Sequence, residues 1–389
     1  MLFNRLARGQ VLKRPARNPR AALIIMSSLA GIGIYAVIHA NAAISPAAFE
    51  AETGTISQPA TTPAVTGASG GKVLTFGTPA PVSNTAAKGF GFAAGAIATL
   101  PRAEQDAWLA DMKSLGITWL RIDIDWSHVQ PNNAQSYDWA VYDVTVAEAA
   151  KYDIKVNGII TYTPQWASSC QGNNHCPPAN MATFATYAKA VAQHFGSKLG
   201  AIEVWNEPNA SSFWYPQTGA ASYTTMLKLA YTAIKSVSPY MTVVSGGITP
   251  VCDCDGSTLP LTFANDMYAA GAKGYFDVFG DHPYSYPAPP TDILEWSGWS
   301  KMSQTSPSLR SIMVANGDAA KPVWMTEVGA PTAGSGAGGT CASYREGQNH
   351  TDECLQAKII SQIVSLSKGY DWSGVTLRGY VVFRFQFIY

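Results

Sequence analysis

Ala201-Ile202-Glu203-Val204-Trp205-Asn206-Glu207-Pro208-Asn209 decides how this chain is read. Its first half is a short apolar run with the length of a buried strand. Pro208 then stops the run and turns the chain. A carboxyl and an amide, Glu207 and Asn206, therefore stand at the carboxyl end of a strand. Working outward, strand-like and helix-like segments alternate from Gly89 onward. Strands are expected at 89–92, 119–126, 155–162, 201–205, 241–245, 276–280, 322–326 and 375–385. Helices are expected over 103–115, 137–152, 181–195, 220–237, 261–270, 308–316 and 353–368, most of them stopped by Gly or Pro. Regular alternation of this kind argues for an α/β protein with a parallel sheet, and eight strands make a (β/α)8 TIM barrel. The chain stops within a few residues of strand 8, so the expected barrel lacks a final helix. Gly89, Gly91 and Gly95 do not have dinucleotide-fingerprint spacing, which excludes that reading.

Composition narrows the choice of function. The chain has 389 residues, 47% of them hydrophobic and 13% charged, with 26 basic and 26 acidic side chains. The balance hides an asymmetry: residues 1–42 hold six basic residues and no acidic one. The remainder carries 20 basic against 26 acidic residues, a net of −6, which argues against nucleic-acid binding. After the basic segment comes the uncharged run 21–40, then Ala40-Asn41-Ala42, a small-residue site before Ala43. Two readings stay open: a cleaved signal peptide, or an uncleaved membrane anchor. Either way the body of the protein is expected outside the cytoplasm, secreted or tethered through 21–40, and as a monomer.

Six cysteines fit that compartment. Cys170 with Cys176, and Cys341 with Cys354, are the expected disulfides. Cys252 and Cys254 are left over, paired to each other or elsewhere. A metal site built from them with His175 or His282 is set aside, because no supporting ligand spacing exists. Residues 43–88 are rich in Ala, Thr, Ser, Gly and Pro and read as a linker. Within it, Phe49-Glu50-Ala51-Glu52-Thr53-Gly54-Thr55 and Ala68-Ser69-Gly70-Gly71-Lys72 resemble the opening of family 6 or 35 carbohydrate-binding modules, as a vestige about thirty residues long. The domains expected are 1–42, 43–88 and a catalytic 89–389.

A second strand-like run, Pro322-Val323-Trp324-Met325-Thr326, also ends in a carboxyl, Glu327, 120 residues after Glu207. Two carboxyls, each at the top of its own strand, are what glycoside hydrolysis through a covalent intermediate requires. The segments Trp205-Asn206-Glu207-Pro208-Asn209 and Trp324-Met325-Thr326-Glu327-Val328-Gly329 resemble the acid/base and nucleophile segments of clan A glycoside hydrolases. The nearest flavour is that of families 5 and 39, over residues 89–385. This resemblance implies a retaining β-glycosidase acting on a β-linked polysaccharide or oligosaccharide, with no cofactor or metal. It implies Glu207 as acid/base, Glu327 as nucleophile, and Asn206 as the partner of the sugar 2-hydroxyl. Strand alternation would send Asn206 and Glu207 to opposite faces, so both reach one site only if the strand ends or bulges there.

Other residues are supporting candidates. On strand 2, Leu120, Ile122 and Ile124 share one face and Arg121, Asp123 and Asp125 the other, the barrel lumen. Arg121 matches the clan's nucleophile-supporting arginine; a lumen pair with Asp123 is the other reading. His282 and Tyr284 match the clan's His-x-Tyr pair at the end of strand 6; a structural His and a loop Tyr are the alternative. Trp126, Trp166, Trp205 and Trp214 are candidate sugar-stacking rings, with Trp296 and Trp299 behind them. The clan's tryptophan at the end of strand 8 is missing, since none follows Trp372. A non-catalytic sugar-binding barrel and a transglycosylase are the competing functions.

Overall fold

A computed structural model describes residues 89–332 and 351–370, together with three short strands at 60–61, 75–76 and 381–384. The expected signal or anchor at 1–42, most of the linker with its module-like segments, and Cys341 lie outside the described residues. Ala60–Thr61 and Thr75–Phe76 pair antiparallel. Eight further strands form one parallel sheet: β1 (Phe90–Ala93), β2 (Trp119–Asp125), β3 (Lys155–Thr161), β4 (Ala201–Val204), β5 (Thr242–Ser245), β6 (Phe279–Asp281), β7 (Val323–Val328) and β8 (Val381–Arg384). Their spatial order is β5-β4-β3-β2-β1-β8-β7-β6. The two outer strands meet through the parallel bridges Val244–Val278 and Ile248–Asp281. The sheet therefore closes on itself.

Helices lie between successive strands: α1 (Arg102–Ser114), α2 (Trp126–Val129), α3 (Ala140–Lys151), α4 (Met181–Phe195), α5 (Ala220–Val237), α6 (Pro260–Ala269), α7 (Gly298–Ser303), α8 (Leu309–Ala315) and α9 (Glu353–Gly369). Each sits where local chemistry allows. Asn180 caps α4 by accepting from the Ala182 N–H, and Phe184, Tyr187, Ala188, Val191, Ala192 and Phe195 form its buried stripe. Ser308 and Ser311 make a reciprocal capping box on α8. The short α2 and α7 were not expected from periodicity; both are too short to show one. The helix expected from 137 begins at Ala140, because the Asp138 carboxylate takes the Ala140 N–H into a turn. Of the strand expected over 375–385, only Val381–Arg384 is described.

The alternation on β2 holds. Leu120, Ile122 and Ile124 are fully buried toward the helices, while Arg121 points into the lumen. Below Arg121 the lumen is plugged by Trp119 and Trp324, edge to face at 5.7 Å. They belong to a core cluster with Ala93, Ala201, Val244 and Val278. Layered side chains fill a barrel of this size, and the open end is the carboxyl one. Two helix tyrosines finish that end from outside. Tyr187 donates to the Ile124 carbonyl at 2.7 Å, and Tyr223 to the Val204 carbonyl at 2.9 Å. Strand-end carbonyls that lose the ladder are satisfied this way.

Cys170–Cys176 is bonded as expected. Cys252 and Cys254 are bonded to each other, which settles the pairing left open by the sequence. Cys354 is disulfide-bonded too, while its expected partner Cys341 is outside the described residues. Among the described residues no helix is long and apolar enough to cross a membrane.

Candidate active site

β4 ends at Val204, and the next residues leave the strand conformation. Trp205 has φ +73° and Glu207 φ +42°, both left-handed. A non-glycine residue there costs roughly 1–2 kcal/mol. Such strain persists only where the surroundings over-determine it. Those surroundings are visible. The Trp205 ring is fully buried and donates to the Phe213 carbonyl at 2.8 Å. Asn209 ties the turn to the neighbouring loop, donating to the Thr249 and Thr258 carbonyls and accepting from the Thr249 N–H. Freed from alternation, Asn206 and Glu207 both face the lumen mouth. The condition set by the sequence is met by the strand ending.

β7 solves the same problem differently. Val381 of β8 pairs with Met325, and Phe383 with Val328, so three steps on β7 oppose two on β8. This bulge falls at Thr326 and Glu327 and lets both side chains turn inward. The Glu327 carboxylate accepts from Arg121 Nη1 at 2.7 Å and from the Tyr284 hydroxyl at 2.8 Å. Glu207 Oε1 lies 2.8 Å from His282 Nδ1, and His282 Nδ1 is 3.9 Å from Glu327 Oε2. One carboxylate oxygen of Glu207 and one of Glu327 lie within 4.8 Å of each other. Both glutamates and His282 are buried; Tyr284 is half-buried.

Arg121 is the hub. Its Nε and Nη2 form a fork on Glu203 at 2.8 and 3.0 Å, and Nη2 also donates to Asn206 Oδ1 at 3.0 Å. Its hydrogen-bonded acid partners are thus Glu203 and Glu327, in place of the Asp123 pair weighed from the sequence. Asp123 adds only a longer-range attraction. Burial by itself would lower the Arg121 pKa. The charges of Glu203 and Glu327 and the hydrogen bond to Glu203 outweigh it and hold the guanidinium well above its ordinary value.

Glu203 was missed as a site residue because it sits inside an apolar strand. Its environment shows otherwise. Besides Arg121, it accepts from Asn157 Nδ2, Thr326 Oγ1 and the Gly247 N–H. The alternation that flagged Arg121 on β2 would have flagged Glu203 on β4, since Ile202 and Val204 take the other face.

The aromatic candidates separate. Trp126, Trp205 and Trp214 are corrected from sugar-binding rings to core. Trp126 stacks on Tyr187 at 5.4 Å and meets Trp166 and Phe184 edge-on. Trp205 packs between Phe184 and Trp214. A ring covered in this way presents no face to a sugar. Trp299 is buried as well, whereas Trp296 is 43% exposed. Trp166 is half-buried, its indole N–H bonded to the Gln130 carbonyl. Tyr162, directly after β3, and Phe213, in the loop after β4, were not singled out from sequence; both stack with His175, at 4.5 Å and 5.0 Å.

Asp281, at the end of β6, is buried, and its Oδ2 has no hydrogen-bond partner among the described residues. Burial pushes its pKa well above the usual carboxylate value, opposed only by a backbone hydrogen bond from His282. A raised folded-state value means stability that is present at low pH and lost as pH climbs past the ordinary carboxylate range near 4. Asp281→Asn, which keeps the shape without the ionisation, is expected to melt above wild type at pH 8 and close to it at pH 4.5. Paired thermal melts check this, and a gap that widens toward acid would be the wrong sign.

The family model described as Cellulase (glycosyl hydrolase family 5) matches residues 82–364. Among solved structures, a family 39 glycoside hydrolase from the gut symbiont Bacteroides cellulosilyticus WH2 is 19% identical, over 81% of this chain and 60% of that one, with TM-score 0.53. The family 39 enzyme from Xanthomonas axonopodis pv. citri is 16% identical, over 78% and 59%, with TM-score 0.55. A further glycoside hydrolase is 15% identical, over 77% and 89%, with TM-score 0.50. The chain thus spans about 60% of the length of the two family 39 structures, and these likenesses speak to the shared barrel alone. Comparison with curated proteins gives no match. With a family model covering the barrel from its first strand into α9, the chain belongs to glycosyl hydrolase family 5, the cellulase family, among the (β/α)8 barrels of clan A.

Proposed function

We propose that this protein hydrolyses β-glycosidic bonds with retention of configuration, on an oligosaccharide or polysaccharide outside the cytoplasm. The observation that carries the reading is the separation of the two glutamates, whose facing oxygens lie within 4.8 Å. Retaining enzymes hold their carboxyls about 5–5.5 Å apart, whereas inverting enzymes leave about 6.5–9.5 Å for a water. Glu327 is the nucleophile: its two oxygens are bonded by Arg121 and Tyr284, which aim a carboxylate at the anomeric carbon. Glu207 gives a proton to the leaving oxygen as the Glu327 ester forms. It then takes a proton from the water that breaks the ester. Asn206, held by Arg121, is placed to meet the sugar 2-hydroxyl. The half-buried Trp166, Tyr162 and Phe213 offer rings beside the mouth for sugar CH faces. The Cys170–Cys176 and Cys252–Cys254 bonds support an oxidising compartment, as does the basic and apolar start of the chain.

The test is stereochemical. A panel of aryl β-glycosides of different sugars identifies one that turns over, and proton NMR then follows the anomer first released. The β-anomer is expected ahead of mutarotation. Release of the α-anomer would replace retention by inversion. Glycan binding with no turnover of any panel member would leave a sugar-binding barrel.

A further inference from the structure

A chain of hydrogen bonds behind the two glutamates has its directions set by valence. Glu203 is fully buried and only accepts: from the fork of Arg121, from Asn157, from the Gly247 N–H and, at 3.1 Å, from the Thr326 hydroxyl. A hydroxyl has one hydrogen, and Thr326 gives it to Glu203. What Thr326 turns toward His282 Nε2, 3.1 Å away, is therefore a lone pair. Nε2 must then carry a hydrogen. Among the described residues, His282 Nε2 and the Thr326 hydroxyl have no further hydrogen-bond partner at this joint. A Cβ added to Gly247 would lie 2.2 Å from His282 Nε2 and 2.7 Å from Thr326 Oγ1, so the Gly247 backbone closes directly over it. With Nε2–H spoken for, the remaining ring nitrogen, Nδ1, faces Glu207 Oε1 at 2.8 Å and Glu327 Oε2 at 3.9 Å.

We infer that Thr326, backed by Glu203, is a positioning residue that locks His282 with its hydrogen on Nε2, so that the acid proton of the resting enzyme is held on the line between Glu207 Oε1 and His282 Nδ1. The inference deepens the proposed function and rests on it for the role of Glu207. In the first half-reaction that proton leaves to the glycosidic oxygen as the C–O bond breaks and the Glu327 ester forms. Glu207 is left as a carboxylate beside a neutral imidazole. In the second, water adds to the anomeric carbon as its bond to Glu327 breaks and frees that carboxylate, and the water's proton returns to the same line. The imidazole keeps Nε2–H throughout and cannot swap tautomers to put its own hydrogen on that line. A buried hydrogen-bond chain whose every member is satisfied gives this kind of uniqueness.

Two measurements test it. In the full chain labelled with 15N-histidine, long-range 1H–15N correlation reads the tautomer, with His282 identified by loss of its signal in His282→Gln. Nε2 is expected to be protonated; an unprotonated Nε2 overturns the inference. This result stands whether or not the protein hydrolyses glycosides, so it fails separately from the proposed function. Thr326→Val then removes both roles of the hydroxyl at nearly constant shape. For aryl glycosides with poor leaving groups, kcat/KM should fall by about tenfold to a hundredfold. That is part of the roughly 10²–10⁴-fold a positioned acid supplies. For activated leaving groups, which need little proton donation, the fall should be much smaller, and Thr326→Ser should restore the first class. Equal losses in both classes, or no rescue by Ser, would reduce Thr326 to a packing residue and overturn the inference.

Discussion

Glu327→Ala is expected to cut hydrolysis of an activated aryl β-glycoside by roughly 10⁴-fold or more, the scale on which loss of a nucleophile acts in other hydrolases. The fold should survive the change. Arg121 keeps its fork on Glu203 and its bond to Asn206, so the cation is not stranded. The substitution also opens space on the face from which the carboxylate attacks. Azide should enter that space, restore turnover, and leave as the α-glycosyl azide. That product is specific to a missing nucleophile on that face. Glu207→Ala should respond differently, with the β-glycosyl azide forming after a normal ester step. Wild-type rates for Glu327→Ala would end the assignment, and so would a β-azide from that variant.

Arg121→Met is the second large effect, and it acts on stability as well as rate. Arg121 is the guanidinium shared by Glu203 and Glu327, all three almost fully buried. Breaking a buried pair by removing one partner typically costs about 3–5 kcal/mol, since an uncompensated charge is left inside. Urea unfolding at pH 7 should show a loss on that scale, with hydrolysis abolished because Glu327 loses its anchor. Arg121→Lys keeps the charge without the fork and should recover only part of the loss. Adding Glu203→Gln to Arg121→Met should win back stability without activity. The coupling between the two sites is the measured quantity. If Arg121→Met unfolds like wild type, the hub does not hold the site together.

The barrel was legible because its elements are locally encoded. Past Trp119, β2 reads apolar outward and polar inward to its end, and α4 carries its stripe and its cap in plain order. Glu207 and Glu327 were legible because each terminates an apolar run. The three misread tryptophans share one cause. Trp126 and Trp205 directly follow strand ends and Trp214 stands in the loop after β4, positions where a ring can turn either to the mouth or to the helices. Phe184 and Tyr187 of α4 decide for the helices at Trp126 and Trp205, and Trp205 with Tyr223 of α5 decides at Trp214. Glu203 and Thr326 were passed over for the opposite reason. Each looks like a minor polar residue in its own strand and gains meaning only from β2, β3 and β6.

The sequence by itself determined what depends on neighbours a few residues away: the succession of strands and helices, their stops, the lumen-facing row on β2, and the two acidic strand ends. Only the tertiary structure decided what depends on residues far along the chain. Sheet closure brings Glu207 and Glu327 together, the β7 bulge turns Thr326 and Glu327 to one side, and Arg121 bridges partners 82 and 206 positions away. Periodicity records which face a residue takes on its own element. It carries no record of which distant charge will stand opposite once eight strands have curled into a ring.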